Sequence, residues 1–217
     1  MAGFVGLTRR IQLAKDFMRF LRAKYLAGFE PPGRPLLDPE TFEWLTGQLK
    51  RTSFYLEFGC GGTTVLANSF GVRTISVESD AHYANVVRRA LQNPESTTIL
   101  TPAMGFTGPW GMPIFFSGRK GLRYISAPFN GISAEFPDFI FVDGRYRVAC
   151  ALESARRAAR AGFTSNLLLD DYGPRKQYHV IEKHLGRPTR VGRAALFIVG
   201  AQEIPLHAIY EHAKDPR

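Results

Sequence analysis

Short apolar segments alternate with helical segments along most of this sequence, and this alternation constrains the fold more than any other feature. Most of the apolar segments end in an acid. Nearly apolar strands separated by helices imply a parallel sheet that is covered on both faces. The sequence therefore predicts an α/β, doubly wound fold. Its predicted strands are residues 52–57, 73–78, 97–100, 138–143 and 166–170, and its predicted helices are residues 63–70, 80–92, 146–161 and 174–185.

The segments "RPTRVG" (187–192) and "AALFIVG" (194–200) break this alternation. They lie too close together for a helical crossover to fit between them. Two strands joined so tightly pair as an antiparallel hairpin. We therefore expect the last strand to run antiparallel to the rest of the sheet.

The N-terminal part has a different pattern. Apolar residues recur at helical spacing over residues 7–27, with arginines and lysines between them, which predicts an amphipathic basic helix. Such a helix either lies across the domain or a dimer partner, or binds a membrane surface or a partner protein. Residues 30–39 form a Pro/Gly-rich linker, and a short helix follows over 39–50. The predicted division is residues 1–38 as helix and linker and residues 39–217 as one domain.

Composition limits the partners and the compartment. The chain has 28 Lys and Arg against 19 Asp and Glu, but no basic run interleaved with aromatic residues, so nucleic acid is not the expected partner. Cys60 and Cys150 form neither a disulfide framework nor a metal-binding pair, which fits a reducing cytoplasm. No apolar run is long enough to predict a membrane span.

The segment "YLEFGCGGTTVLA" (55–67) ends the first strand with an acid and a glycine loop. A dinucleotide fingerprint, G-x-G-x-x-G, requires a third glycine where this chain has Thr64. The pattern E-x-G-x-G instead fits Glu57, Gly59 and Gly61. An acid at that place suits a cationic ligand and repels a pyrophosphate. The loop therefore predicts a nucleoside ligand with a positive charge nearby.

The second strand ends in "SVESD" (76–80). Its Glu78 follows the strand at the place where an acid accepts hydrogen bonds from both ribose hydroxyls. The helix that follows is better capped by Ser79 or Asp80 than by Glu78. Glu78 therefore supports the prediction that the chain binds a nucleoside.

These two motifs resemble those of class I S-adenosylmethionine-dependent methyltransferases, over residues 40–200. The resemblance implies a seven-stranded sheet of order 3-2-1-4-5-7-6. It places Glu57 near the methionine amino group and the sulfonium of the cofactor. It also implies that Gly59, Gly61 and the neighbouring Thr63 lie beside the bound cofactor and that Glu78 binds the ribose hydroxyls.

Residues 101–136 form an insert that is too long for an ordinary connection and rich in Gly and Pro. Long insertions at the edge of a sheet are more often functional than not, and this one begins where ligands bind in such sheets. Trp110, in "GPWGMP", is the candidate aromatic residue of a lid that stacks on adenine or substrate. It is equally a candidate buried anchor of the insert.

Three acids follow the fourth and fifth strands: Asp143, Asp170 and Asp171. No basic partner for them is apparent, and a hard divalent cation would relieve their repulsion. Their spacing resembles metal-dependent O-methyltransferases, which implies magnesium and a substrate hydroxyl of lowered pKa. Alternatively, Asp143 forms a turn and Asp171 caps a helix.

The chain departs from that family where the catechol type has a candidate lysine base, because Tyr146 stands there. Arg145 and Arg147 favour an anionic or sugar-like substrate or simply begin a helix. We predict methylation of a small-molecule hydroxyl, with Asp143 and Arg145 as catalytic residues. The alternatives are a catalytically silent fold that binds a nucleoside or a partner, and an aminopropyltransferase. The [DN]-P-P-[YF] motif of base methylases is absent.

Overall fold

A seven-stranded sheet forms the centre of the computed structural model, which describes residues 15, 17–22, 24, 33–130 and 135–217. The strand order is β3-β2-β1-β4-β5-β7-β6, and this confirms the expected order. The strands are β1 (Phe54–Phe58), β2 (Arg73–Val77), β3 (Thr97–Leu100), β4 (Phe139–Val142), β5 (Ser165–Leu169), β6 (Thr189–Val191) and β7 (Ala194–Val199).

The first five strands are parallel, and β7 runs antiparallel to both of its neighbours, β5 and β6. In β1 and β4, at the centre of the sheet, every residue is buried. Parallel strands that are covered on both faces have this nearly continuous apolar character. The predicted hairpin is therefore present, and the carboxyl ends of the five parallel strands meet at one edge.

Alternate residues of the central strands pack into two separate cores. Leu56 and Ile140 belong to the core on one face, and Tyr55 and Phe139 belong to the core on the other. Tyr55 and Phe139 stack with their ring centroids 5.4 Å apart. Because successive side chains of a strand point to opposite faces, this division places apolar layers on both faces of the sheet.

Seven α-helices accompany the sheet within residues 33–130 and 135–217. They are α1 (Pro39–Leu49), α2 (Gly62–Ser69), α3 (Ala81–Ala90), α4 (Gly118–Ser126), α5 (Arg147–Ala161), α6 (Glu182–Leu185) and α7 (Leu206–His212). None of the helices in the described ranges is both long and apolar enough to cross a membrane.

The helices differ from the prediction in three places. The predicted helix over 174–185 is mostly a 3₁₀ helix, Lys176–Ile181, before the short α6. Helix α7 was not predicted. Helix α4 lies inside the insert, where its glycines favour a loop. Gly121 is nevertheless required there, because a Cβ atom would lie 1.9 Å from the Ala213 carbonyl oxygen.

The predicted N-terminal helix lies partly outside the described residues. Within it, residues 15 and 17–22 are helical. The Lys24 ammonium is buried and lies 2.6 Å from the Asp80 carboxylate. A contribution of this helix to a homodimer or a partner surface stays a prediction, as does the domain boundary at residue 38.

Candidate functional site

A cavity of about 920 Å³ opens at the carboxyl ends of the parallel strands. Ligands of open α/β sheets bind at this edge. Its walls come from the loops after β1, β2, β4 and β5, from the insert, and from the linker before α1. Among the lining residues are eight of the predicted site residues: Gly59, Gly61, Thr63, Glu78, Trp110, Asp143, Arg145 and Asp171.

Two glycines hold the loops after β1 and β4 against each other. Gly59 has φ of +100°, and a Cβ atom there would lie 2.7 Å from the Gly144 backbone. A Cβ on Gly144 would lie 2.8 Å from the Gly59 nitrogen. At Gly61, in contrast, a Cβ would first meet the Tyr83 hydroxyl at 3.4 Å, across the cavity wall. Gly59 therefore serves the close approach of two loops, and Gly61 leaves room at the cavity.

Glu57 lies beneath the glycine loop and is not among the residues that line the cavity. It is fully buried, and the Thr63 hydroxyl (2.8 Å), the Tyr55 hydroxyl (2.9 Å) and the Thr64 hydroxyl donate to it. Burial raises the pKa of this carboxyl, although the threonine hydroxyls oppose the shift. Thr64 also accepts from the Gly61 amide at 2.8 Å. Through these hydroxyls Glu57 positions the loop and the start of α2.

Glu78 lies at the cavity wall with its carboxylate held by the surrounding chain. The Cys60 amide donates to one oxygen at 3.1 Å, and the Asp80 amide and the Ser79 hydroxyl donate to the other at 2.8 and 3.0 Å. Burial raises the pKa of Glu78. A carboxylate has about four acceptor positions, so three donors leave one direction for a ligand hydroxyl. Asp80 caps α3 by accepting from the amides of residues 82 and 83, as expected.

The insert crosses the cavity through the turn of residues 109–112. The Gly111 carbonyl accepts from the Ser79 hydroxyl at 2.7 Å. The Trp110 carbonyl accepts from two nitrogens of Arg145, at 2.9 and 2.5 Å. Trp110 has φ of +59° and a side chain that is 78% exposed. The turn therefore connects the loop after β2 with the loop after β4, and Trp110 is not a buried anchor.

The three predicted aspartates come together, with one carboxylate oxygen of each within 4.8 Å of the others. The expectation that they lack a basic partner is wrong. Arg147 pairs with Asp143 at 2.7 Å and with Asp171 at 3.1 Å. Arg193 binds both oxygens of Asp170, at 2.8 and 2.6 Å.

Arg175 completes this arrangement by pairing with Asp171 at 3.1 Å. We call Asp143, Asp170 and Asp171 the aspartate cluster. Three arginines therefore pair with the three aspartates of this cluster, so one positive charge is present for each carboxylate. Hydrogen bonds between a guanidinium group and a carboxylate are stronger than hydrogen bonds between neutral groups, because both partners are charged.

Burial and neighbouring charges shift the pKa values at the cavity. Burial raises the pKa of Asp143 to about 7; Arg147 opposes this shift, and Asp170 and Asp171 add to it. The exposed third of the Asp143 side chain faces the cavity. Burial, together with the nearby Arg147, lowers the pKa of Arg145. Tyr146 does not replace a lysine base, because its ring is fully buried in the core beside Tyr124.

A magnesium ion does not fit the aspartate cluster as it stands. Asp170 has no exposed surface, and the Arg193 fork takes both of its oxygens. Divalent cations of this type require oxygen ligands that are open to them, with water completing the shell. An added ion would also place two positive charges on a cluster whose charges are already matched.

The arginines that pair with the aspartates include two that the sequence analysis missed. Arg175 follows Asp171 by four residues, as Arg147 follows Asp143, and this repeated D-x-x-x-R spacing is a signal of ion pairing on a helix-like turn. Arg193 has no such signal, because it lies 23 residues beyond Asp170 and reaches it only through the β6–β7 turn. Tyr83, in the cavity wall, was also missed.

The described N-terminal residues reach the same cavity. Phe20 is one of its lining residues. The Lys24 ammonium donates to Asp80 and to the Thr107 hydroxyl, both at 2.6 Å. Thr107 in turn donates to Asp80 at 2.9 Å. The N-terminal segment, the insert and the start of α3 therefore meet at one buried ion pair beside Glu78.

Comparison with known proteins shows similarity to a solved structure in both sequence and fold. A methyltransferase-like protein from Silicibacter pomeroyi is 33% identical, with a TM-score of 0.75, and the match covers 86% of this chain and 99% of that chain. No protein-family model matches the sequence, and no curated protein matches it.

Two further solved structures are similar in fold alone. A putative O-methyltransferase from Klebsiella pneumoniae is 20% identical with a TM-score of 0.53, and the match covers 85% of this chain and 90% of that chain. An O-methyltransferase from Bacillus cereus, in complex with SAH, is 15% identical with a TM-score of 0.54 and the same coverage. In each case most of both chains share the architecture described above.

Proposed function

The chain belongs to the class I S-adenosylmethionine-dependent methyltransferase superfamily, and we propose that it methylates a hydroxyl oxygen of a small molecule. One observation carries this proposal: a single cavity joins the glycine loop and Glu78 on one side to Asp143 and Arg145 on the other. A nucleoside site and a polar acceptor site thus share one space. The fold similarity to O-methyltransferases supports oxygen as the acceptor atom.

The cavity residues fit the cofactor. Glu78 presents a carboxylate with one acceptor position left for a ribose hydroxyl, and Gly61 leaves the wall open where any side chain would approach Tyr83. Thr63 lies at the same wall, with its hydroxyl directed to Glu57. S-adenosylmethionine, when bound, supplies an electrophilic methyl group. Glu57 acts on this site indirectly, by fixing the loop.

On the acceptor side, Asp143 is the carboxylate that both lines the cavity and follows the central strand β4. We assign it the role of accepting the proton of the acceptor hydroxyl, which makes that oxygen a better nucleophile. Arg145 orients the acceptor and keeps the 109–112 turn in place. The turn and Phe20 form part of the cavity wall.

Calorimetric titration tests the cofactor. We expect S-adenosylmethionine to bind the wild type, and binding to fall at least about 10-fold in Glu78→Ala, because hydrogen bonds to a charged group contribute about 1.5–3 kcal/mol each. Glu95→Ala, an exposed acid outside the cavity, is the matched control and should bind like the wild type. Binding of decarboxylated S-adenosylmethionine in preference would indicate an aminopropyltransferase, and binding of neither would contradict the proposal.

Turnover is tested by screening hydroxyl compounds for release of S-adenosylhomocysteine. Asp143→Asn should bind cofactor like the wild type and lose turnover by about 100-fold or more. Cofactor binding without turnover on any hydroxyl compound would favour the catalytically silent alternative. An unchanged rate in Asp143→Asn would remove this residue from the mechanism.

A further inference from the structure

Four arginines border the acceptor side of the cavity: Arg145, Arg147, Arg175 and Arg193. We call them the arginine set. The aspartate cluster that they face contains three carboxylates. Asp38, before α1, adds a fourth carboxylate, 3.9 Å from the Arg193 guanidinium, so the total charges balance, but the carboxylates are not shared equally among the four arginines. Neither of the other two acids in the wall, Glu78 and Asp80, reaches the arginine set as an ion-pair partner among the described residues.

Arg145 differs from the other three arginines in its partners. Arg147, Arg175 and Arg193 each pair with an aspartate. Arg145 makes no ion pair with any described carboxylate. Its Nε and Nη2 donate to the Trp110 carbonyl, which is neutral. Partial burial beside another cation is costly for a guanidinium, and the lowered pKa of Arg145 has the same cause.

Arg175 is the second arginine with binding capacity left. One of its terminal nitrogens pairs with Asp171 at 3.1 Å, and the other donates to the Tyr178 hydroxyl at 3.2 Å. More than a third of its side chain is exposed. A guanidinium has five N–H donors, so both Arg145 and Arg175 retain donors for a ligand. Arg193, in contrast, is fully engaged by Asp170 and by the Leu36 carbonyl.

We propose that the methyl acceptor carries an oxyanion, a carboxylate or a phosphate, which Arg145 and Arg175 bind, and that this site works without a divalent cation. The inference rests on the proposed function and names its substrate class. A planar guanidinium fork matches the geometry of carboxylate and phosphate oxygens. An oxyanion there would give Arg145 an anionic partner in addition to the neutral Trp110 carbonyl. Arg147, Arg175 and Arg193 pair with the aspartate cluster. They supply the positive charge that a metal ion supplies in a site with the same acids.

Direct binding tests the oxyanion without any turnover. Benzoate and inorganic phosphate are titrated into the full chain in the presence of a metal chelator and without cofactor, and benzamide serves as the neutral probe. We expect at least one anion to bind and benzamide not to bind. Arg145→Met should weaken the anion by about 10-fold or more. Arg119→Met, an exposed arginine outside the cavity, is the matched control.

A second variant protects this test against misfolding. If circular dichroism shows that Arg145→Met does not fold, Arg175→Gln takes its place with the same expected loss. Equal binding of benzamide and benzoate would overturn the inference, as would wild-type anion affinity in either folded variant. Preference for benzoate or for phosphate distinguishes a carboxylate acceptor from a phosphorylated one.

Magnesium is tested separately. We expect no saturable heat when magnesium chloride is titrated into the wild type. Saturable binding that disappears in Asp170→Asn would overturn the metal-free part. The cofactor titration is independent of these results. Cofactor binding without oxyanion binding refutes this inference alone, and oxyanion binding without cofactor binding refutes the proposed function.

Discussion

Single residues carry much of the geometry at this site, and the glycine loop shows how. Gly59→Ala would add a Cβ atom 2.7 Å from the Gly144 backbone at φ of +100°. Overpacking and backbone strain together should lower the free energy of unfolding by about 3 kcal/mol or more. Gly47→Ala, in α1 with nothing within 4 Å of the new Cβ, should raise it by about 0.5–1 kcal/mol. Urea denaturation measures the free energy of unfolding of both variants. A small loss in Gly59→Ala would show that the two loops can move apart.

Glu78 predicts a pH dependence of stability. Burial raises its folded-state pKa above the ordinary value of 4.5, so the folded protein binds more protons than the unfolded chain between the two pKa values. The free energy of unfolding must then fall as pH rises through that window. Glutamine does not titrate. The wild type should therefore lose stability relative to Glu78→Gln as pH rises above about 4.5.

Urea titrations of both proteins at several pH values between about 4 and about 8 give this difference directly. A difference that stays constant with pH, or that moves in favour of the wild type, contradicts the assignment. The acid that we propose to bind the cofactor would thus lower the stability of the folded protein at neutral pH. Under this proposal, stability and function oppose each other at Glu78.

At the scale of elements, the β6–β7 turn is what supplies the third arginine of the aspartate cluster. Arg193→Met would leave Asp170, which has no exposed surface, without its cation. Breaking a buried pair costs about 3–5 kcal/mol. Because the Arg193 side chain is itself a third exposed, we expect the free energy of unfolding to fall by about 3 kcal/mol. Arg187→Met, exposed before the same hairpin, should have almost no effect.

The double variant Arg193→Met with Asp170→Asn separates charge from packing. Removing the buried charge should recover part of the lost free energy of unfolding, as measured by urea denaturation. If the double variant is as unstable as Arg193→Met alone, the loss comes from the contacts of Arg193 with the linker at Leu36 and not from the uncompensated carboxylate.

Elements with strong local patterns were the ones that the sequence predicted. The apolar strands follow from burial on both faces, and the hairpin follows from the short distance between its strands. Helix α4 was missed because the reason for Gly121 lies in the backbone of residue 213, far along the chain. The predicted α-helix over 174–185 is largely 3₁₀, a difference that periodicity cannot resolve over so few residues.

The site was predictable to the extent that its residues end strands. Glu78 and Asp143 follow strands directly, and the fold brings them to one cavity. Glu57, in contrast, lies within β1, one residue before its end, and its side chain lies beneath the loop and accepts from three hydroxyls. Arg193 depends on a hairpin register that joins it to a distant strand. Sequence patterns thus locate the edge of the sheet but not the direction of each side chain.

At the scale of the whole molecule, the buried pair of Lys24 and Asp80 holds the N-terminal segment to the domain. Lys24→Met would leave Asp80 in a buried position without its cation. We expect residues 17–22 to detach from the domain, because the unpaired Asp80 carboxylate is then hydrated by water. The global loss of stability should stay below the ~3–5 kcal/mol of a broken buried pair. Cofactor affinity should also fall, because Phe20 leaves the cavity wall.

Hydrogen exchange measured by mass spectrometry detects this detachment as faster exchange at residues 17–22. Lys15→Met is the matched control, since Lys15 is exposed on the same segment. Unchanged protection in Lys24→Met would mean that other contacts hold the segment in place.

The 109–112 turn has a thermodynamic consequence. Its consecutive carbonyls, at Trp110 and Gly111, are held from opposite sides of the cavity by Arg145 and Ser79. A shift that releases one carbonyl strains the other, so the nucleoside and oxyanion halves cannot loosen independently. Such coupling is reciprocal: the factor by which one ligand tightens the second equals the factor by which the second tightens the first. The acceptor would thereby retain the cofactor until transfer is complete, and departure of one product would speed departure of the other.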